Sequence, residues 1–223
     1  MNPALRSSAA HVFVESLEAP ELTAEDAHHL FRVMRLRDGE SVTVSDGRGS
    51  WRRTEVHGGA LRPVGSVVHE DQLQPFTIAT AIPKGERAEW MVQKLTEVGV
   101  AEIRFVDFER SVVRWEGDRA LRQLARAQRV AREAAMQSRR VWLPTVTGPV
   151  QFAFVAAEPG VVLADPGGGS LRAMLAPPSA VVIGPEGGFA PAELAIDLPS
   201  VCLSALVLRV ETAAIVAAAR LMT

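Results

Sequence analysis

The stretch of this 223-residue chain with the most chemical content is AVVIGPEGGFAPAEL. A short apolar strand runs straight into Gly184-Pro185-Glu186-Gly187-Gly188, and a helix is expected from about Pro191. Glycines at such a point let the backbone approach a ligand closely or take positive φ without a Cβ penalty. In open α/β sheets, ligands lie beyond the C-terminal strand ends, where this loop would fall. A tight strand-to-helix turn with no ligand would use the same residues, and spacing does not separate the two readings. The pattern is neither the dinucleotide GxGxxG nor the phosphate-binding GxxxxGKS/T. The two lysines, Lys84 and Lys94, follow no such loop, which disfavours nucleotide hydrolysis.

Two further stretches matter. LSALVLRVETAAIVAAARL begins as an apolar strand, bends through Arg209-Val210-Glu211-Thr212 and continues as a helix of small residues. Glu211 or Thr212 can cap that helix, and Arg209 can pair with Glu211. Equally, the apolar loop can wrap an aromatic ring whose edge is read by backbone groups. The third stretch is the helix DRALRQLARAQRVAREAAMQSRR. A helical wheel puts Arg119, Arg122, Arg126, Arg129 and Glu133 on one face and Leu121, Leu124, Gln128, Ala131 and Ala135 on the other, expected to be buried. Arginine stripes are usually solvated faces. Here a single acid accompanies seven arginines from Arg119 to Arg140, so pairing within the helix cannot neutralise them. A polyanion would.

These stretches need a frame. Residues 1–74 read as short strands and turns (HVFVESL, SVTVSDGRGSW, TEVHGGALRPVGSVV) around one helix-like piece, EDAHHLFRVMRL, with Leu30, Val33 and Met34 on one face. That pattern suggests a compact β-barrel. Residues 75–223 alternate apolar strands with helices, the signature of a parallel sheet covered on both faces. Charge follows the same division. Residues 1–76 carry 8 basic and 11 acidic side chains, 77–150 carry 13 and 9, and 151–223 carry 3 and 6, so the positive charge sits in the middle. A local basic surface is what attracts phosphate.

Composition narrows the classes. Hydrophobic residues at 48% and charged residues at 22% are ordinary globular usage. No apolar run approaches the roughly 20 residues a bilayer requires, and the start MNPALRSSAAHVFVE lacks a secretory pattern. The lone Cys202 excludes an internal disulfide and a multi-cysteine zinc site, and the adjacent His28 and His29 diverge, so no metal is expected. The expectation is a cytoplasmic, metal-free protein with no membrane partner.

The combined motifs resemble the RsmE-type family of the SPOUT superfamily, methyltransferases that modify a uridine in small-subunit ribosomal RNA. The resemblance runs through HHLFRVMRLRDGE, PKGERAEWMVQKLTEVGV, ERSVVRW, REAAMQSRRVWLP, IGPEGGFAPAEL and LVLRVETAA, in the family's order. Ser204 stands where glycine is common, Leu206 where arginine is frequent, and Ala127 where tryptophan is frequent.

The resemblance implies a small PUA-like β-barrel, residues 1–74, that binds RNA. It is followed by a SPOUT α/β domain, residues 75–223, with a deep trefoil knot, the whole forming a homodimer. It implies S-adenosylmethionine held by Leu163-Ala164-Asp165, by Ile183 through Gly188, and by a third loop. That loop comprises Leu203, Leu206, Val207, Leu208, Arg209, Glu211, Thr212 and Ala213. Transfer would go to uridine N3 in 16S ribosomal RNA or the small subunit. Arg110, Arg140 and Arg209 would stabilise charge on the uracil oxygens, and Glu186 or Glu211 would act as base. Arg32, Arg35, Lys84, Arg87, Arg114, Arg119, Arg122, Arg126 and Arg129 would meet RNA phosphates. The alternatives are a non-catalytic RNA-binding or ribosome-assembly protein and a SPOUT methyltransferase acting on another RNA or on a ribose hydroxyl. Cofactor binding and the identity of the modified nucleoside discriminate them.

Overall fold

The computed structural model describes residues 2–72 and 74–222. The chain divides into two compact units, Met1–Leu73 with Ala135–Leu143, and Gln74–Ala134 with Pro144–Thr223. Ala135–Leu143 thus packs with the first unit, although it lies some 60 residues beyond the composition change near residue 75.

The first unit contains α1 (Pro3–Ser7), β1 (Ala10–Phe13), α2 (Ala24–His28), a π-helical turn (His29–Val33), β2 (Ser41–Ser45), β3 (Ser50–His57) and β4 (Ala60–His69). The sheet order is β1-β2-β3-β4, with β1 parallel to β2 and the other pairs antiparallel. Along β3, Thr54 and Val56 point inward while Arg53, Glu55 and His57 are exposed, the alternation of a half-buried strand. Val12, Val42, Val44, Val56, Leu61 and Leu30 form the core. Val33 and Met34 are exposed rather than sharing the buried face of Leu30. The cause is the change of helix type: Met34 N–H reaches back five residues to the His29 carbonyl, and this wider turn rotates both side chains off that face.

His11 ties Ala135–Leu143 to this sheet. Its Nε2–H donates to the Arg140 carbonyl at 3.0 Å, which leaves Nδ1 to accept from the Thr43 hydroxyl at 2.8 Å. Burial holds the imidazole at about 4, well below its usual range, so the ring is neutral at pH 7.

The second unit contains β5 (Thr77–Thr80), α3 (Arg87–Val98), β6 (Glu102–Asp107), α4 (Gly117–Gln137, whose last turn enters the first unit), β7 (Thr145–Gln151), α5 (Phe152–Ala156), β8 (Val161–Ser170), β9 (Ala180–Ile183), α6 (Pro191–Leu194), β10 (Ser200–Cys202) and α7 (Val210–Leu221). Its sheet runs β10-β8-β9-β5-β6-β7, and every pairing is parallel. Strands such as Ala180–Ile183 are buried on both faces, which is why they read as continuous apolar runs. All C-terminal strand ends therefore share one edge.

Helix α4 buries Ala127 and Ala131, with Ala120 and Leu124 packed beside them, a stripe spaced four, three and four residues apart. Leu121 is turned about 100° away from Ala120 and is 69% exposed, against expectation. The alanines let the helix lie close, and that approach selects their stripe over the one containing Leu121. On α7, Ala213, Ala214, Ala217 and Ala218 are buried against α3 and the sheet, so its small residues serve the subunit's own core. Among the described residues, no helix is long and apolar enough to cross a membrane.

Candidate active site

Three loops leave the sheet at neighbouring positions of its C-terminal edge. In β8, Leu163 pairs with Val182 of β9 and with Ser200 of β10, and pairing with β10 then resumes at Gly169 and Ser170. Ala164 through Gly168 bulge out between these points. A Cβ on Gly168 would lie 2.5 Å from the Val201 nitrogen, so only glycine lets the bulge return against β10. Asp165 steadies the excursion, its Oδ1 accepting from Gly167 N–H at 2.7 Å.

The second loop follows buried Ile183 and runs from Gly184 to Ala190. The Gly188 N–H closes a turn on the Pro185 carbonyl at 2.9 Å, with Gly188 at φ +70°. The third follows Cys202. Leu203 is buried and Leu208 packs on the core, but Leu206 and Val207 are 78% and 94% exposed. Since β9 and β10 flank β8, the glycine-rich turn and the apolar bend lie one strand apart on the same edge.

The glycine-rich loop is firmly tied. Glu193, only 8% exposed, accepts from Ala190 N–H at 2.7 Å and from Glu109 N–H at 2.8 Å. The Arg110 guanidinium donates to the Gly187 and Phe189 carbonyls, both at 3.2 Å. The Phe189 ring stands edge-on to Phe108, 5.7 Å between centroids. Glu193 is absent from the sequence-based candidates. Ala190-Pro191-Ala192-Glu193 nevertheless has the spacing of a helix N-terminus with proline at N1 and glutamate at N3, the half of a capping box that could have flagged it.

The proposed catalytic residues do not all converge. Glu186 and Arg209 are exposed on the second and third loops. Arg209 is the N-cap of α7, where its carbonyl accepts from Ala213 N–H at 2.8 Å. Glu211 is buried and pairs with Arg87, Nε to Oε1 3.7 Å, rather than with Arg209. Thr212 is exposed and Ala213 buried beside it. Arg140 belongs to the first unit, where burial draws its guanidinium down to about 10.

The expected phosphate contacts also divide. Arg126 pairs with Glu89 of α3 at 2.9 Å, and Arg114 donates to the Phe108 and Glu109 carbonyls at 2.7 and 3.2 Å. With the Arg87–Glu211 pair, three of the nine thus have partners among the described residues. Arg119, Arg122, Arg129 and Lys84 are exposed in the second unit, and Arg32 and Arg35 in the first. Beyond the ends of β6 and β7 lies a cavity of about 290 Å³ lined in part by Asp107, Arg114, Gln151 and Glu193, for which the sequence gives no signal. Burial pushes the Asp107 carboxyl up, against the pull of Arg114 4.0 Å away. Among the described residues, no three His, Cys, Asp or Glu side chains gather as metal ligands.

The chain is similar to known proteins over most of its length. The profile of an RNA methyltransferase domain matches residues 69–222, and that of an RNA methyltransferase PUA domain matches residues 22–58. The ribosomal RNA small subunit methyltransferase E of Synechocystis sp. is 32% identical over 220 residues, covering 90% of this chain and 71% of its own. The Mycobacterium bovis protein of the same name is 33% identical, covering 86% and 82%. A Legionella pneumophila protein described as a methyltransferase, solved with the bound cofactor SAM, superposes with a TM-score of 0.82 at 27% identity, covering 95% of this chain and 96% of its own. With both domain profiles in order and the likeness running through nearly the whole length, this chain belongs to the ribosomal RNA small subunit methyltransferase E family of RNA methyltransferases.

Proposed function

We propose that this chain methylates N3 of a uridine in 16S ribosomal RNA, drawing on S-adenosylmethionine held at the C-terminal edge of β8, β9 and β10. The observation that carries the reading is the convergence of the 164–168 bulge, the 184–190 loop and the 203–209 bend on that edge. The residues suit such a ligand. Exposed Leu206 and Val207, followed by Leu208 packed on the core, offer an apolar surface to adenine, and the glycine loop offers backbone groups without obstructing side chains. When bound, the cofactor supplies an electrophilic methyl group on a sulfonium. The trefoil knot belongs to this proposal, supported by a chain that leaves β9, crosses past β8 and returns on its far side as β10. So do the homodimer and the cytoplasmic location that the family resemblance implies.

The remaining chemistry falls to side chains. Uridine N3 carries a proton in the neutral base and is a poor nucleophile until that proton leaves. Glu186 is the better base, because it is exposed on the glycine loop while Glu211 is buried against Arg87. Arg209, exposed at the end of the bend, suits the developing charge on a uracil carbonyl oxygen. N3 lies on the pairing edge, so the uridine must be unpaired or splayed out. Arg119, Arg122 and Arg129 on α4, with Lys84, supply phosphate contacts in the second unit, and Arg32 and Arg35 supply phosphate contacts in the first. Incubating the purified chain with methyl-labelled cofactor and, in parallel, small-subunit RNA or transfer RNA, then digesting to nucleosides for mass spectrometry, tests the assignment. Label is expected in N3-methyluridine. Label on a ribose or only on transfer RNA would move the chain to another substrate, and none at all would favour the non-catalytic alternative.

A further inference from the structure

We infer that Glu193 and Arg110 form a clasp that sets the shape of the glycine-rich loop before any ligand arrives, and that both are positioning residues rather than groups that touch the reacting uridine. The inference rests on the proposed cofactor site and assigns it two residues whose action is indirect. One segment, Phe108 to Ser111, is the anchor. From it the Arg110 guanidinium reaches the Gly187 and Phe189 carbonyls, while Glu109 offers its N–H to Glu193. Glu193 completes the loop's closure through Ala190 N–H. The clasp therefore grips the loop from both sides, donating to two of its carbonyls and accepting from its last amide. Its packing supports the grip. Phe189 lies among Phe108 and Phe152, and a Cβ on Gly187 would lie 3.5 Å from the Arg110 Cβ, so loop and anchor already meet at contact distance.

The chemistry favours this reading over catalysis by Arg110. Its Nη1 donates to both loop carbonyls, so the guanidinium is held as part of the loop's frame. Charge-assisted hydrogen bonds such as those made by Glu193 are the stronger kind. Fixing a loop in its binding geometry beforehand raises affinity by removing the ordering cost from the binding step.

Calorimetric titration of S-adenosylmethionine into the full chain, paired with hydrogen exchange on the ligand-free protein, tests the clasp. In Glu193→Ala, the amides of Glu109 and Ala190 should lose protection, and the dissociation constant should rise roughly tenfold or more. Glu193→Gln keeps one carbonyl acceptor and should fall between wild type and alanine. Arg110→Lys, whose shorter and more flexible side chain does not hold its nitrogen at the Nη1 position, should weaken cofactor binding while leaving the single-turnover rate at saturating cofactor within about twofold. An unchanged dissociation constant in a folded Glu193→Ala protein would overturn the inference, as would a large loss of single-turnover rate in Arg110→Lys with binding intact. If Glu193→Ala does not fold, the graded pair Glu193→Gln and Arg110→Lys decides by the same two readouts. Failure of the wild-type chain to bind the cofactor would instead refute the proposed site, and exchange at Glu109 and Ala190 would still decide whether the clasp holds the loop.

Discussion

Two loops one strand apart on the same sheet edge are built in opposite ways. The 184–190 loop is tied by Glu193, Arg110, an internal turn and a buried phenylalanine. The 203–209 bend is held near Ser204 by Leu206 N–H on its hydroxyl at 3.0 Å and by the Cys202 thiol on its carbonyl at 3.3 Å, and leaves Leu206 and Val207 in solvent. Exposed apolar side chains on a loosely held backbone gain most from a ligand that covers them. One loop is thus shaped in advance, and the other is the part a ligand would order.

This contrast can be broken at several strengths. Gly168→Val should act most strongly, because a branched side chain cannot fit where a Cβ already meets β10 backbone at 2.5 Å. Urea unfolding should show a loss of about 3 kcal/mol, as for severe overpacking, with cofactor affinity falling as the bulge shifts. Leu206→Ala should do the reverse. Its exposure predicts a stability change within about 0.5 kcal/mol, while loss of a side chain that covers the ligand should weaken cofactor binding by about tenfold. Equal effects on stability and binding from both variants would erase the distinction between the loops.

Acid offers a control on the comparison, since the clearest titration lies in the other unit. The folded His11 value is lowered to about 4 from 6.5, so the unfolded chain binds the extra proton first. Stability contributed by neutral His11 is complete above pH 6.5 and lost as pH falls toward 4, a loss approaching roughly 3 kcal/mol. Denaturation followed at the PUA-domain tryptophan Trp51 should show this slope, and His11→Asn should flatten it. No slope between pH 6.5 and 4 would contradict the burial argument.

Much of this frame was legible in the sequence. Apolar runs such as AVVI, followed by glycine and proline, identified a buried strand feeding a loop, because a strand covered on both faces has no polar positions. The long arginine helix was found within one residue of its start, yet its buried stripe was not. Leu121 looks like a core residue to any hydrophobicity scale, but closeness of approach favoured the alanines. Val33 and Met34 were misplaced because a π-turn changes the period that a helical wheel assumes. Within the site, the loops announced themselves through glycine and leucine. Glu193 did not, since it acts through backbone amides 3 and 84 residues away, and the second separation is set by the fold alone. Similarly, the pairings of Arg87 with Glu211 and Arg126 with Glu89 depend on helix α3 reaching those partners.

The most direct test of the account is hydrogen exchange across 184–190 and 203–209, measured with and without saturating S-adenosylmethionine. The account predicts that the Gly188 and Ala190 amides are already protected in the free protein and change little, whereas 203–209 exchanges fast when free and slows strongly when the cofactor binds. Protection appearing elsewhere, or none in 203–209 despite saturation, would contradict it.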